Sequence, residues 1–153
     1  MLTTTASAVP HINQGRARAL CAAGGALAAA LAWIVEVPLL GIHLNVRFGP
    51  GHMQAGAGHI QTIAIGQVIG VTVAASLFGW LLLALLERRT AQARLLWTTI
   101  ALAALAVSLA LPLAVATTTS AATGLIVMHV TVAAVVIPAM ARTARSHRAS
   151  KTD

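Results

Sequence analysis

Tyrosine is absent from this 153-residue chain, cysteine occurs once, and only 8% of its residues are charged. Each shortage excludes a class of protein. With 58% hydrophobic residues and so few charges, the chain cannot dress a water-facing surface, so the solvent for most of it is lipid. The single cysteine, Cys21, rules out an internal disulfide and a Cys-x-x-Cys redox pair. It precedes an apolar run instead of following one, which argues against lipoprotein processing and for a small packing residue. The net charge of +7 comes without the aromatic or polar readers of a nucleic-acid surface, so no nucleic-acid partner is expected. Paired carboxylates, a nucleophile elbow, a phosphate-binding glycine loop and a zinc-protease helix are all missing. The expectation is a protein that is not an enzyme and carries no cofactor.

What the chain does have is long apolar runs. A bilayer span needs roughly 20 apolar residues, and four runs qualify, at about 18–41, 60–86, 95–116 and 121–141. The fold class expected is all-α: an integral membrane four-helix bundle in up-down-up-down order, occupying residues 16–142. The connections ERRTAQAR (87–94) and TTTS (117–120) are short, which makes consecutive helices antiparallel neighbours. Residues 1–15, with Pro10, read as a flexible cytoplasmic tail, and 143–153 as a basic cytoplasmic tail held against anionic lipid. The first run resembles a signal peptide in its basic start and alanine-rich middle. It continues to Leu40, however, which is too long for a cleaved leader, and cleavage would leave an odd number of spans.

Base distribution sets the direction. Arg16, Arg18, Arg88, Arg89, Arg94, Arg142, Arg145, Arg148 and Lys151 fall on one side under this topology, against Arg47 alone on the other. By the positive-inside rule both termini face the cytoplasm, and the location expected is the cell membrane. Trp80 and Trp97 lie toward the cytoplasmic ends of spans two and three and read as interfacial anchors or packing residues. The long outer segment 42–60 contains a seven-residue echo, GHMQAGA then GHIQTIA, too short to be a repeat array and consistent with a local helical turn. It also carries His43, His52 and His59, with Met53. These are weak metal-ligand candidates, because their spacing fits a shared face only if the segment is helical.

Inside the spans the polar side chains gather at one depth. Glu36, Gln67 and His129 each lie some 7–12 Å below the outer boundary at about 1.5 Å per residue, with Ser108 near the same level. An unpaired carboxylate in a bilayer costs a few kcal/mol, so Glu36 is expected to face the interior or be protonated, and to find a partner, His129 first and Gln67 next. Pro38 and Pro112 free the carbonyls of Ile34 and Ser108 as further acceptors. Such a layer admits two readings: a polar clamp that fixes helix register, or a proton-responsive or ligand-binding site open to the outer face. Gly66, Gly70 and Ala74 put small residues on one face of the second span, which favours close helix packing within the chain over a dimer seam.

Gly79-Trp80 leading to Leu86-Glu87-Arg88, then Trp97, Ser108-Leu109 with Pro112-Leu113, and Met128-His129 running to Ile137-Pro138 form a recognisable set. On these the chain, over about residues 20–142, resembles a family of small actinobacterial four-helix membrane proteins of unknown function. The resemblance implies the fold and the membrane location and transfers no catalytic residue; Glu36 is not among the pieces that carry it. The leading functional expectation is a non-enzymatic membrane module or accessory subunit, with the lipid bilayer as partner and a homo-oligomer or larger membrane complex as its setting. The alternatives are a small transporter or ligand-binding protein using the Glu36 layer, and a metal or redox protein using the outer histidines.

Overall fold

The computed structural model describes residues 12–48 and 59–144. Helix α1 runs Ile12–Ile34 and continues as a wider π turn over Val35–Leu39, while α2 spans Ile65–Arg89, α3 Ala93–Val115 and α4 Thr119–Thr143. The stretches Gln14–Leu39, Ile65–Arg89, Ala93–Val115 and Thr119–Thr143 are each long and apolar enough to cross a bilayer. The chain is a multi-pass membrane protein. Its first helix starts earlier than hydropathy indicates, so residues 12–15, expected in the tail, are helical. Residues 1–11 and 145–153, which hold the rest of both expected tails, lie outside the described residues.

The second helix starts later than expected, because residues just before it form sheet. Strands β1 (Asn45–Phe48) and β2 (His59–Thr62) pair antiparallel, Asn45 opposite Thr62 and Phe48 opposite His59. Within the segment 42–60, residues 45–48 and 59–60 are therefore strand and not plain loop, and residues 59–64 of the echo's second copy are strand followed by helix entry, not a helical turn. Hydropathy misses so short a hairpin, since four-residue strands have no apolar run to announce them. Val46 is buried and bridges Ala116 beyond the end of α3, and the Thr117 amide donates to the Asn45 carbonyl at 3.1 Å. The hairpin thus sits across the ends of the helices.

Helix starts are capped locally. Gln67 Oε1 accepts the Ala64 amide at 3.0 Å at the head of α2, and the Thr118 hydroxyl accepts the Ala121 amide at 3.1 Å at the head of α4. Helix α1 packs most extensively on α4 and α2, and α3 packs on α4 and α2. The buried positions of α1 are Arg18, Ala22, Gly25, Ala29 and Glu36, a stripe recurring at three and four residues except for the last step of seven, where Trp33 is half-buried. Gly25 marks the tightest crossing. A Cβ there would lie 2.5 Å from Val136 Cγ2 and 3.7 Å from both Ser76 Oγ and Thr72 Cγ2, so α1, α2 and α4 converge on a missing side chain.

Two apolar clusters fill the interior. One gathers Ala29, Leu44, Val46, Val68, Val115, Leu125 and Met128 beneath the hairpin; the other gathers Leu83, Trp97, Met140 and Ala141 at the opposite end. Trp97 is buried, and its indole N–H donates to the Gly79 carbonyl at 2.8 Å. It is a core residue tying α3 to α2, not an interfacial anchor, and Trp80 is half-buried against the same cluster. Cys21 also packs there, half-buried, as a small apolar side chain.

Candidate functional site

The buried stripe of α1 carries two charged residues, Arg18 and Glu36, 18 positions and so roughly 27 Å apart along the helix. Each is only 4% exposed, and their surroundings differ. Arg18 Nη2 pairs with Glu87 Oε1 of α2, Nε donates to Thr143 Oγ1 of α4 at 3.2 Å, and Nη2 reaches the Thr143 carbonyl at 3.4 Å. The Thr143 hydroxyl is free to accept there because it donates its own proton to the Met140 carbonyl at 2.7 Å. One guanidinium therefore holds three helices together. Guanidinium geometry suits this role, with several donors fixed in one plane.

At the other end, Pro38 has no amide to continue the helix, and the backbone widens. The Leu40 amide bonds the Val35 carbonyl five residues back at 3.0 Å, and the Gly41 and Ile42 amides close on the carbonyls of Val37 and Glu36. Gly41 ends the turn in the left-handed region, at φ 66°, where a glycine avoids the Cβ penalty. This turn carries the Glu36 side chain toward α4. A Cβ on Gly124 would stand 3.1 Å from Glu36 Oε2 and 3.0 Å from Leu44 Cδ2, so the carboxyl is seated against bare α4 backbone with Leu44 of the hairpin segment beside it. Among the described residues neither carboxyl oxygen has a hydrogen-bond partner.

The hairpin closes the site from above. Trp33 Nε1 donates to the Ile63 carbonyl and the Ile63 amide to the Leu44 carbonyl, both at 3.0 Å. Together with the Thr117 to Asn45 bond, these hold Leu44, which is fully buried, over Glu36.

The other members of the expected polar layer do not join Glu36. His129 Nδ1 lies 2.6 Å from the Leu125 carbonyl of its own helix, Ser108 Oγ donates to the Leu105 carbonyl at 2.8 Å, and Gln67 is exposed and committed to the α2 cap. The Glu36–His129 pair is not formed. Counting residues from a span's end gives height but not rotation about the axis, and carbonyls three and four residues back satisfy histidine and serine locally. The Gly66, Gly70 and Ala74 face is also not used for packing within the chain. Cβ atoms on Gly66 and Gly70 would meet nothing within 4 Å among the described residues, and Ala74 is exposed. In a helix apolar all round, small-residue spacing does not say which face turns inward.

Among the outer histidines, His43 is exposed, His59 begins β2, and His52 and Met53 lie outside the described residues. Among the described residues no group of three or more His, Cys, Asp or Glu is placed to hold a metal ion. Sequence reading missed the Arg18–Glu87 pair, having treated both termini of that end as topology signals. The signal was available: Arg18 falls four residues before Ala22 on the same stripe as Gly25, Ala29 and Glu36.

Over residues 11–146 the sequence matches a family described as a family of unknown function, DUF6069. That interval includes both charged residues of the α1 stripe and all four helices. No curated protein and no solved structure matches the chain.

Proposed function

The chain belongs to this family of unknown function, and from that membership we propose that it works as a non-enzymatic module of the cell membrane, with helices in up-down-up-down order and both termini cytoplasmic. The carrying observation is the segregation of basic residues. Arg16, Arg88, Arg89, Arg94 and Arg142 stand exposed at the helix ends around the Arg18 clamp, whereas Arg47 on the hairpin is the arginine of the opposite end among the described residues. Anionic headgroups and the positive-inside rule favour the arginine-rich end in the cytoplasm. The hairpin and Glu36 then lie toward the outer face.

The role of a subunit packing on a larger membrane complex, or on its own copies, draws on the Gly66, Gly70 and Ala74 face. No other described part of the chain covers it, and small residues let helix backbones approach closely. The test has two parts. Fusions of a fluorescent protein and of a secreted phosphatase to each terminus are expected to give fluorescence without phosphatase activity, and the reverse pattern would invert the topology. The full-length protein, purified in mild detergent, is expected to retain a stoichiometric membrane partner or to self-associate. Robust proton-coupled flux into liposomes holding the pure protein would replace this reading with that of a transporter.

A further inference from the structure

Among the described residues, the carboxyl oxygens of Glu36 are the buried side-chain polar atoms that lack a hydrogen-bond partner. An ionised carboxylate left so is strongly unfavourable, whereas a neutral acid with unmet hydrogen bonds costs far less. Three kinds of occupant would relieve it. A metal ion needs several hard ligands, six to eight oxygens for calcium, and Glu36 brings a single carboxyl among apolar neighbours. An organic ammonium needs room, and Glu36 Oε2 lies only 3.1 Å from where a Cβ on Gly124 would stand, a point that Leu44 Cδ2 also approaches to 3.0 Å. A proton needs no room.

We infer that Glu36 is a proton-binding site, served from the aqueous phase on the hairpin side and covered by the hairpin only while it is protonated. Loading forms an O–H bond on one carboxyl oxygen with a proton taken from that water, converting the carboxylate to a neutral acid. Release returns the proton to the same water. Glu36 stands three residues from the end of its span at Leu39, and among the described residues Leu44 and the strands follow directly on that side. Among the described residues, hydrogen bonds from the Trp33 indole, from the Ile63 amide and from both the amide and the hydroxyl of Thr117 hold that cover. Ionised Glu36 must be hydrated, and hydration requires Leu44 to leave Gly124. The π turn and Gly41 supply a backbone joint for that movement, since π turns recur at functional sites and glycine tolerates the left-handed conformation.

The ionisable groups on the elements around Glu36 are few. α4 presents His129, bonded to its own helix; the hairpin segment carries His43, exposed, with Arg47 and His59 on its strands; the ionisable side chains of α2 and α3 lie at the far end, at Glu87 to Arg94. None bonds to the Glu36 carboxyl. The site is thus a single carboxyl, and its titration should follow one proton.

The experiment is an infrared difference spectrum of the full-length protein in lipid between acid and alkaline pH, compared with Glu36→Gln. The expected result is a one-proton exchange of a carboxylic C=O band for carboxylate bands, missing from the variant. Covalent labelling of Glu36 by a hydrophobic carbodiimide, which attacks the protonated acid, should fall about tenfold per pH unit above the same midpoint. Trp33 fluorescence, taken as wild type minus Trp33→Phe, should shift at that midpoint as the cover opens. Carbodiimide labelling mapped to Glu36 that stays constant over the whole pH range in which wild type is folded overturns the proton site. A flat Trp33 difference signal while Glu36 titrates overturns the coupling to the hairpin. The labelling site is mapped on wild type, so the proton-site outcome stands even where Glu36→Gln fails to fold. It is also independent of the proposed membrane sidedness, because the hairpin-side water is named by structure.

Discussion

At one end of α1 a buried guanidinium reaches groups on two other helices, and at the other end a buried carboxyl beside Gly124 has no hydrogen-bond partner among the described residues. Both lie on one stripe and are equally buried, so burial alone does not explain their difference. The Arg18 end uses charge to hold helices in place: breaking it leaves a stranded ion, which is why such pairs resist separation even when they add little net stability. The Glu36 end has no such lock. It carries a π turn, a left-handed glycine and a hairpin hydrogen-bonded through Ile63 and Asn45, and none of these involves the Arg18 clamp. A paired ion marks the fixed end and an unpartnered carboxyl marks the end able to respond.

The largest test of that contrast is Arg18→Met. It removes the cation paired with half-buried Glu87, together with the guanidinium's bonds to Thr143, and should destabilise the protein by about 2–3 kcal/mol, read as a lowered midpoint for unfolding in mixed micelles titrated with a denaturing detergent. Arg18→Met combined with Glu87→Met should recover most of the loss, because an apolar pair of similar volume replaces the ion pair. Equal stability of Arg18→Met and wild type would mean that the clamp holds nothing.

Gly25→Ala comes next, and it tests whether the helices meet where the stripe says they do. The new methyl would fall 2.5 Å from Val136 Cγ2. Valine is branched at Cβ and has few rotamers to retreat into, so the helices must part, with a loss of about 1–3 kcal/mol by the same assay. Unchanged stability would show that α1 and α4 are further apart than this.

Glu36→Met reverses the sign. Removing an unpartnered polar group from an apolar setting should raise stability by about 1–3 kcal/mol at neutral pH, the opposite of Arg18→Met on the same stripe. A large destabilisation would give Glu36 a hidden partner and erase the difference between the two ends.

Much of this fold was legible in the sequence, because a span of lipid-soluble helix needs about 20 apolar residues and little else. The four runs, the short turns and the arginine-rich end could all be read that way. The hairpin at 45–48 and 59–62 could not, since its strands are short and its burial rests on single residues such as Leu44 and Val46. The burial of Glu36 was legible and its lack of a partner was not. Height along a helix follows from counting, while the direction a side chain points follows from how the helices rotate against one another. Arg18 illustrates the converse: its spacing from Ala22, Gly25 and Ala29 placed it on the inward stripe, but a count of basic residues by side treats every arginine alike.

Gly66 and Gly70 carry the smallest predicted effect on stability and mark where the comparison of ends meets the question of partners. Cβ atoms on these glycines would meet nothing within 4 Å among the described residues. Gly66→Leu and Gly70→Leu should therefore change unfolding by no more than about 0.5 kcal/mol, as expected for exposed positions, offset partly by the better helix propensity of leucine. If this face seats a partner helix or a second copy, the same substitutions hold the backbones apart and should abolish co-purification or self-association in mild detergent. Loss of association with intact stability assigns the face to assembly. Loss of stability would instead return it to the interior, and with it the packing that the spacing of small residues alone had suggested.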